Sequence, residues 1–426
     1  MNISEIAQIA KSASIRLAAV TTDTKNRALN EIANAIGQRS DDIISANQQD
    51  LSAAEKEHLA MPLLKRLKFD EGKIAQVIAG IESLITLDDP VGQTLSALEL
   101  DAGLELYKVG CPIGVIGVVF ESRPDALVQI STLCLKSGNA VLLKGGSEAA
   151  QTNKILTEII AEASEKAGLP QGWIQLLQTR QDVAEMLVQD EYIDLIIPRG
   201  SNEFVRYIMN NTNIPVLGHA DGICDVYVDA DADVNMAVDI TVDSKCQYVA
   251  VCNAAETLLV DSGIAESFLP KVKTALEEKN VELRGCERTV SIIDVKPATE
   301  EDWATEYLDY ILSIKIVDGM EEAIQHINRY GSGHTDAIVT ADKDKAEQFI
   351  ALVDSGNVFW NCSTRFSDGF RYGLGAEVGI STNKIHARGP VGLEGLLIYK
   401  WKLLGAGQTV ADYSGPNAKT FTHKKL

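Results

Sequence analysis

The 426-residue chain is 46% hydrophobic and sets 60 acidic side chains against 39 basic ones, for a formal net charge of −21. Such an acidic balance excludes a nucleic-acid backbone as the main partner, because phosphate binding needs clustered Lys and Arg. No apolar run reaches the ~20 residues that span a bilayer, and seven cysteines with no CxxC pair suit neither a disulfide scaffold nor a zinc ribbon.

The chain opens on apolar positions at helical spacing, Ile6, Ile9 and Ala10, then Leu29, Ile32, Ala33 and Ile36. Residues 1 to about 85 are therefore expected as a helical lead-in. Their first twenty form an amphipathic helix in this reading and not a signal peptide. From about residue 112, short apolar runs alternate with helical periods. GVIGVVF (114–120) and AVLLK (140–144) are expected as buried strands, with helices over 125–136 and 147–168. WIQLL (173–177), a short helix and IDLIIP (193–198) continue the alternation, and Ser201 stands where it would N-cap the next helix. This βαβα order predicts a parallel sheet covered by helices on both faces, a platform for a nucleotide.

A second alternating set runs from CDVYVD (224–229) through ETLLV (256–260), a helix over 264–279, VSIID (290–294) as a strand, and DAIVT (336–340). The acidic stretch between Asp221 and Asp233 is where a domain border is expected. Residues 98–109 suggest an isolated hairpin, and LLIYKWKLL (396–404) a strand outside both sets. Together they predict a small unit that pairs with a neighbouring subunit.

No GxGxxG fingerprint follows a strand, and GLGAEVG (373–379) has the wrong spacing. Candidates for cofactor contact are Lys144, at the carboxyl end of a strand, and Gly200-Ser201, at a helix start with free N–H groups. Cys252 stands apart from the other cysteines in a loop of small residues, VCNAA, just before a strand. With six histidines and neither HExxH nor G-x-S-x-G, no metal and no serine nucleophile are expected. The densest polar cluster runs from His326 to His334, and Arg365, Arg371 and Arg388 crowd a glycine-rich stretch where they could clamp an anion.

Six segments in order, GVIGVVFESRPDALVQI (114–130), LKGGSEA, PRGSNEFV (198–205), CNAAETLLV (252–260), VDGMEEAIQHINRYGSGHTDAI (317–338) and RFSDGFRYGLGAEVGIST (365–382), resemble the γ-glutamyl phosphate reductases, which are aldehyde-dehydrogenase-like enzymes. The resemblance implies an α/β fold in three parts. A Rossmann-type NADPH-binding domain covers 1–97 and 110–227, an α/β catalytic thiol domain 228–384, and an oligomerisation β-unit 98–109 and 385–426. It implies NADPH-dependent reduction of L-glutamyl 5-phosphate to L-glutamate 5-semialdehyde through a cysteinyl thioester, in the cytoplasm. Cys252 becomes the nucleophile, Lys144, Gly200 and Ser201 cofactor contacts, and Glu306 the acid that holds the nicotinamide ribose. Arg365, Arg371 and Arg388 are assigned to substrate, and the Cys252 N–H with the Asn253 side chain to an oxyanion hole. Two departures stand out. Where hydrolytic aldehyde dehydrogenases carry Glu-Leu-Gly-Gly, this chain has GHADGICDVYV (218–228), and FESRPD lacks their oxyanion Asn. A homo-oligomer and a glutamate kinase partner are further implications. The competing readings are NAD(P)-dependent aldehyde oxidation and an inactive binding protein of the same fold.

Overall fold

Five helices lead the chain in the computed structural model, which describes every residue except Met1, Ser122, Ala220 and the side chain of Pro62. Two segments quoted above, FESRPD and GHADGICDVYV, thus each hold one position outside the described residues, Ser122 and Ala220. The helices are α1 (Ile3–Leu17), α2 (Thr22–Gln38), α3 (Ser40–Lys56), α4 (Met61–Leu67) and α5 (Glu71–Thr86). Asn2 and Glu5 cap α1 reciprocally. Most of the apolar stripe expected from periodicity faces inward, with Ala10, Leu29, Ile32, Ala33 and Ile36 buried, but Ile6 is half-buried and Ile9 is exposed.

After an antiparallel hairpin of β1 (Thr94–Asp101) and β2 (Leu104–Pro112), the first α/β set begins. It comprises β3 (Val115–Phe120), α6 (Pro124–Lys136), β4 (Ala140–Lys144), α7 (Ala150–Lys166) and β5 (Ile174–Leu176). The set closes with α8 (Arg180–Met186), β6 (Leu195–Arg199) and α9 (Asn202–Asn210). Its parallel sheet has the order β5-β4-β3-β6, so the direction of winding reverses beside β3. Helices cover both faces, and β3 and β4 are buried at every position, which is why they stand in the sequence as unbroken apolar runs.

The second set holds β7 (Cys224–Val228), α10 (Val234–Cys246), β8 (Ala255–Asp261), α11 (Ala265–Glu277), β9 (Glu282–Gly285) and α12 (Glu287–Ile292). It continues with β10 (Lys296–Pro297), β11 (Ile311–Val317), α13 (Met320–Tyr330), β12 (Thr335–Val339), α14 (Lys343–Leu352) and β13 (Asn357–Trp360). These strands form a parallel sheet of order β10-β9-β11-β8-β7-β12-β13. The short strands β14 (Gly379–Ser381) and β15 (Gly389–Val391) pair antiparallel. Last come β16 (Leu397–Leu404) and β17 (Lys424–Lys425), which flank the hairpin in a sheet of order β16-β2-β1-β17.

Three expectations are corrected. Residues 290–294 are not a strand: Val290 to Ile292 end helix α12, and an apolar run this short carries no decisive period. The border at 227/228 would cut β7, which is paired to both β8 and β12; the second set therefore starts by Cys224. The hairpin begins at Thr94 and not at 98. The two α/β sets keep separate cores, one beneath β3–β6 and the leading helices, the others on the two faces of the larger sheet.

Candidate active site

Three segments converge at the amino edge of the larger sheet. Cys252 lies in the loop entering β8, Cys224 starts β7, and His334 immediately precedes β12. Facing them is Arg199, the last residue of β6, at the carboxyl edge of the smaller sheet. The site thus lies where opposite ends of two parallel sheets meet. Two glycines allow this approach. A methyl group at Gly222 would overlap the Cys252 main chain, and one at Gly379, whose φ is +148°, would overlap the Arg199 guanidinium. Arg199 also donates to the Val378 carbonyl, tying the thiol's surroundings to the segment before β14.

Burial pushes the Cys252 thiol up to about 12, and the Glu306 and Glu377 carboxylates add to that push. Arg199 and the residue's own N–H act the other way, favouring thiolate. Two imidazoles complete the setting: one ring nitrogen from each of His219 and His334 lies with Cys252 Sγ inside a 4.8 Å radius of mutual distance. His219 Nδ1 is 2.8 Å from the Ile380 carbonyl and, as the donor there, leaves Nε2 unprotonated. His334 is fully buried and meets the His219 ring edge-on at 4.8 Å between centroids. Its Nδ1 is 2.8 Å from Thr335 Oγ1, and its Nε2 is buried with no partner. Desolvation holds both rings below the usual histidine range, so both are neutral near pH 7. Behind them the Cys224 thiol donates to the Cys252 carbonyl at 3.2 Å.

The smaller sheet opens at its carboxyl ends into a cleft of about 600 Å³. Lys144, Gly145, Gly146 and Arg180 line one side, Glu121, Phe204 and Tyr207 the other. Its size, its two cations and its apolar walls fit an adenine nucleotide. Lys144 is buried with its ammonium on the Gly145 carbonyl, and desolvation lowers its pKa while Glu148 and Asp182 support its charge. Ser201 occupies the N-cap of α9 in extended backbone, yet its side chain makes no capping bond. Its N–H instead donates to Glu121 Oε2 at 3.3 Å, so one N–H of this helix start is already taken by the protein's own carboxylate. Gly200 packs against the same Glu121 and against Phe204, both about 3.0 Å from where a side chain would begin.

Glu306 bridges the two sheets. Its Oε2 accepts from Asn202 Nδ2 at 2.6 Å at the start of α9, and its charge is felt at the thiol. Arg365 is buried and donates to Gln247 Oε1 at 3.0 Å, and desolvation together with the neighbouring Arg371 charge lowers its pKa. Arg371 donates to the Arg365 carbonyl at 2.6 Å, which brings the two guanidinium-bearing residues together beside the thiol loop. Arg388 is placed otherwise. Its Nε, Nη1 and Nη2 bind the Thr382 carbonyl, Asp354 Oδ1 and the Asp354 carbonyl, so it clamps two loops and its substrate role is withdrawn. Asn253 is also committed: its buried Nδ2 donates to the Ser367 carbonyl at 2.6 Å, so the side chain holds the loop. The sequence did not single out Arg199, His219 or Glu377. Only adjacency to Gly200 pointed towards Arg199, because the contacts that matter span more than fifty residues.

Residues 1–311 and 290–375 match the Aldehyde dehydrogenase family. A relative named Gamma-glutamyl phosphate reductase from Acetivibrio thermocellus is 68% identical over all of this chain and 99% of its own length. One of the same name from Methanococcoides burtonii is 57% identical over 98% of this chain and 95% of its own. The crystal structure of Gamma-glutamyl phosphate reductase from Thermotoga maritima superposes with a TM-score of 0.94 at 40% identity, covering 96% of this chain and 100% of that one. Matched along its whole length in sequence and in fold, the chain belongs to the γ-glutamyl phosphate reductases of the aldehyde dehydrogenase family.

Proposed function

We propose that this enzyme reduces L-glutamyl 5-phosphate to L-glutamate 5-semialdehyde with release of phosphate, the second step of proline biosynthesis from glutamate. The observation that carries this reading is the Cys252 thiol set against Arg199 and two neutral imidazoles where a nucleotide-type sheet faces the thiol sheet.

His219 Nε2, unprotonated while Nδ1 serves the Ile380 carbonyl, accepts the thiol proton, and Arg199 steadies the thiolate. The sulfur attacks the acyl carbonyl and phosphate leaves, needing little acid assistance. The Cys252 N–H faces the oxygen that gains charge. A nicotinamide cofactor held in the cleft by Lys144 and Arg180 would supply the hydride that reduces the acyl group carried on Cys252 to the aldehyde. Arg365 and Arg371, beside the thiol loop, serve the substrate's anionic groups. Both carboxylates near the thiol are occupied, Glu306 by Asn202 and Glu377 by the Gly369 N–H at 2.8 Å. That restrains them from activating water against the thioester.

The family brings a nicotinamide cofactor. NADPH is the form assigned here, on the strength of Lys144 and Arg180 in the cleft, two cations suited to a 2′-phosphate. A homo-oligomer built on the β16-β2-β1-β17 sheet, a glutamate kinase that hands over the labile acyl phosphate, and a reducing cytoplasm that keeps Cys252 a thiol belong to the same proposal. No described helix is long and apolar enough to cross a membrane.

The reverse reaction tests this reading: semialdehyde and NADP are supplied with and without phosphate. Phosphate-dependent turnover that falls by several orders of magnitude in Cys252→Ala is expected. Turnover indifferent to phosphate would instead establish simple aldehyde oxidation.

A further inference from the structure

We propose that Cys252, His219 and His334 form a site for one zinc ion, and that zinc bound there switches the enzyme off by occupying its nucleophile. The donor set is one sulfur and two imidazole nitrogens within 4.8 Å of one another. Thiolate and neutral imidazole are the ligands zinc favours, whereas Mg²⁺ and Ca²⁺ want oxygen. Three protein ligands with a fourth position open is the arrangement of solvent-accessible zinc sites.

Two independent details point at an ion. His219 donates Nδ1–H to the Ile380 carbonyl at 2.8 Å, the outer hydrogen bond that commonly fixes a metal-binding imidazole with Nε2 facing inward. His334 Nε2 is buried without a partner in a fully buried ring, an unsatisfied lone pair that a metal would satisfy. Its Nδ1 stays anchored on Thr335 Oγ1 at 2.8 Å, so metal binding needs only the Nδ1–H tautomer. Bond lengths of ~2.3 Å to sulfur and ~2.0 Å to nitrogen require the widest ligand pair to close by about 1 Å, within reach of small side-chain rotations.

Binding forms the sulfur–zinc bond and releases the thiol proton to solvent, with no change of oxidation state. The bound sulfur then has no free lone pair aimed at the acyl carbonyl. The site itself stands on the three side chains, and only the inhibition rests on the proposed role of Cys252.

Chelator-stripped full-length enzyme is titrated with Zn²⁺ against a chromophoric competitor, and separately with Co²⁺. One ion per chain is expected, with a thiolate-to-cobalt absorption band that Cys252→Ser abolishes. His219→Ala and His334→Asn, each checked for wild-type melting, should weaken zinc by more than the ~10–100-fold that loss of an outer-sphere partner costs. Reductase turnover should fall in step with zinc occupancy and return on adding EDTA. Absent stoichiometric binding, or wild-type affinity in both histidine variants, overturns the site. Full turnover with zinc bound overturns the inhibition alone. An enzyme inactive even after chelation would count against the reductase reading, while the cobalt band would still report the site.

Discussion

The nucleophile role proposed for Cys252 meets surroundings that keep its thiol protonated beforehand. Burial and two nearby carboxylates raise its pKa to about 12, well above the ~8.5 of a free cysteine. A raised thiol pKa means less thiolate at any given pH, and below that pKa the thiolate fraction rises about tenfold per pH unit. Alkylation of Cys252 by iodoacetamide in the ligand-free enzyme is therefore expected to climb without plateau from pH 7 to 10. A rate that levels off near pH 8.5 would show an unperturbed thiol. Arg199→Gln should slow alkylation further at each pH, because it removes the cation that favours thiolate. At this scale the placement of Cys252 before a strand and of Lys144 at the end of a buried strand was legible as local pattern, whereas their roles came only from the resemblance. Arg199, His219 and His334 were not legible as one group. They come from three separate segments, and only the facing sheet edges bring them to a common thiol. Arg388 looked like an anion clamp for the same reason in reverse: nothing local revealed that Asp354 already held it.

One ion pair fixes the element that carries the thiol loop. Lys245 near the end of α10 and Glu256 in β8 are both fully buried and meet at 2.5 Å. The pair spans the loop from 247 to 254, so it sets how that loop leaves the helix and enters the strand. Glu256→Gln leaves a buried ammonium uncompensated, which costs ~3–5 kcal/mol. Chemical denaturation should show that loss in full. The double variant Lys245→Met with Glu256→Gln should recover most of it, because neither charge then remains buried. Buried strands such as β3 and β8 could be seen in advance as continuous apolar runs. Residues 290–294 could not be assigned correctly, because Val290, Ile292 and Ile293 fit either period, and Thr289, whose hydroxyl donates to the Ile314 carbonyl of β11, anchors this turn as helix.

The whole molecule displays one conspicuous open surface. On β16, Tyr399, Trp401 and Leu403 share a face and remain exposed, and β16 is the edge of its sheet, with β2 on one side only. An exposed apolar edge strand is a pairing surface that monomers avoid. If the proposed homo-oligomer is built on this sheet, Trp401→Asp should lower the mass measured by sedimentation towards that of a single chain, and an unchanged mass would remove this sheet from the proposed interface. The two separate strand segments signalled this unit in the sequence, whereas the domain border within 224–228 needed the pairing of β7 to place it. A different consequence follows from the sheets meeting at opposite ends. Cys252 is aligned by one core and Arg199 by another, so the alignment that matters for reaction is a rigid-body relation with no local encoding. Drift can preserve every motif and the soundness of each half while the register between them slips. A chimera joining the cofactor half of one relative to the thiol half of another inherits two intact frames, and their mutual fit has to be selected anew where Arg199 faces Cys252 and where Asn202 meets Glu306.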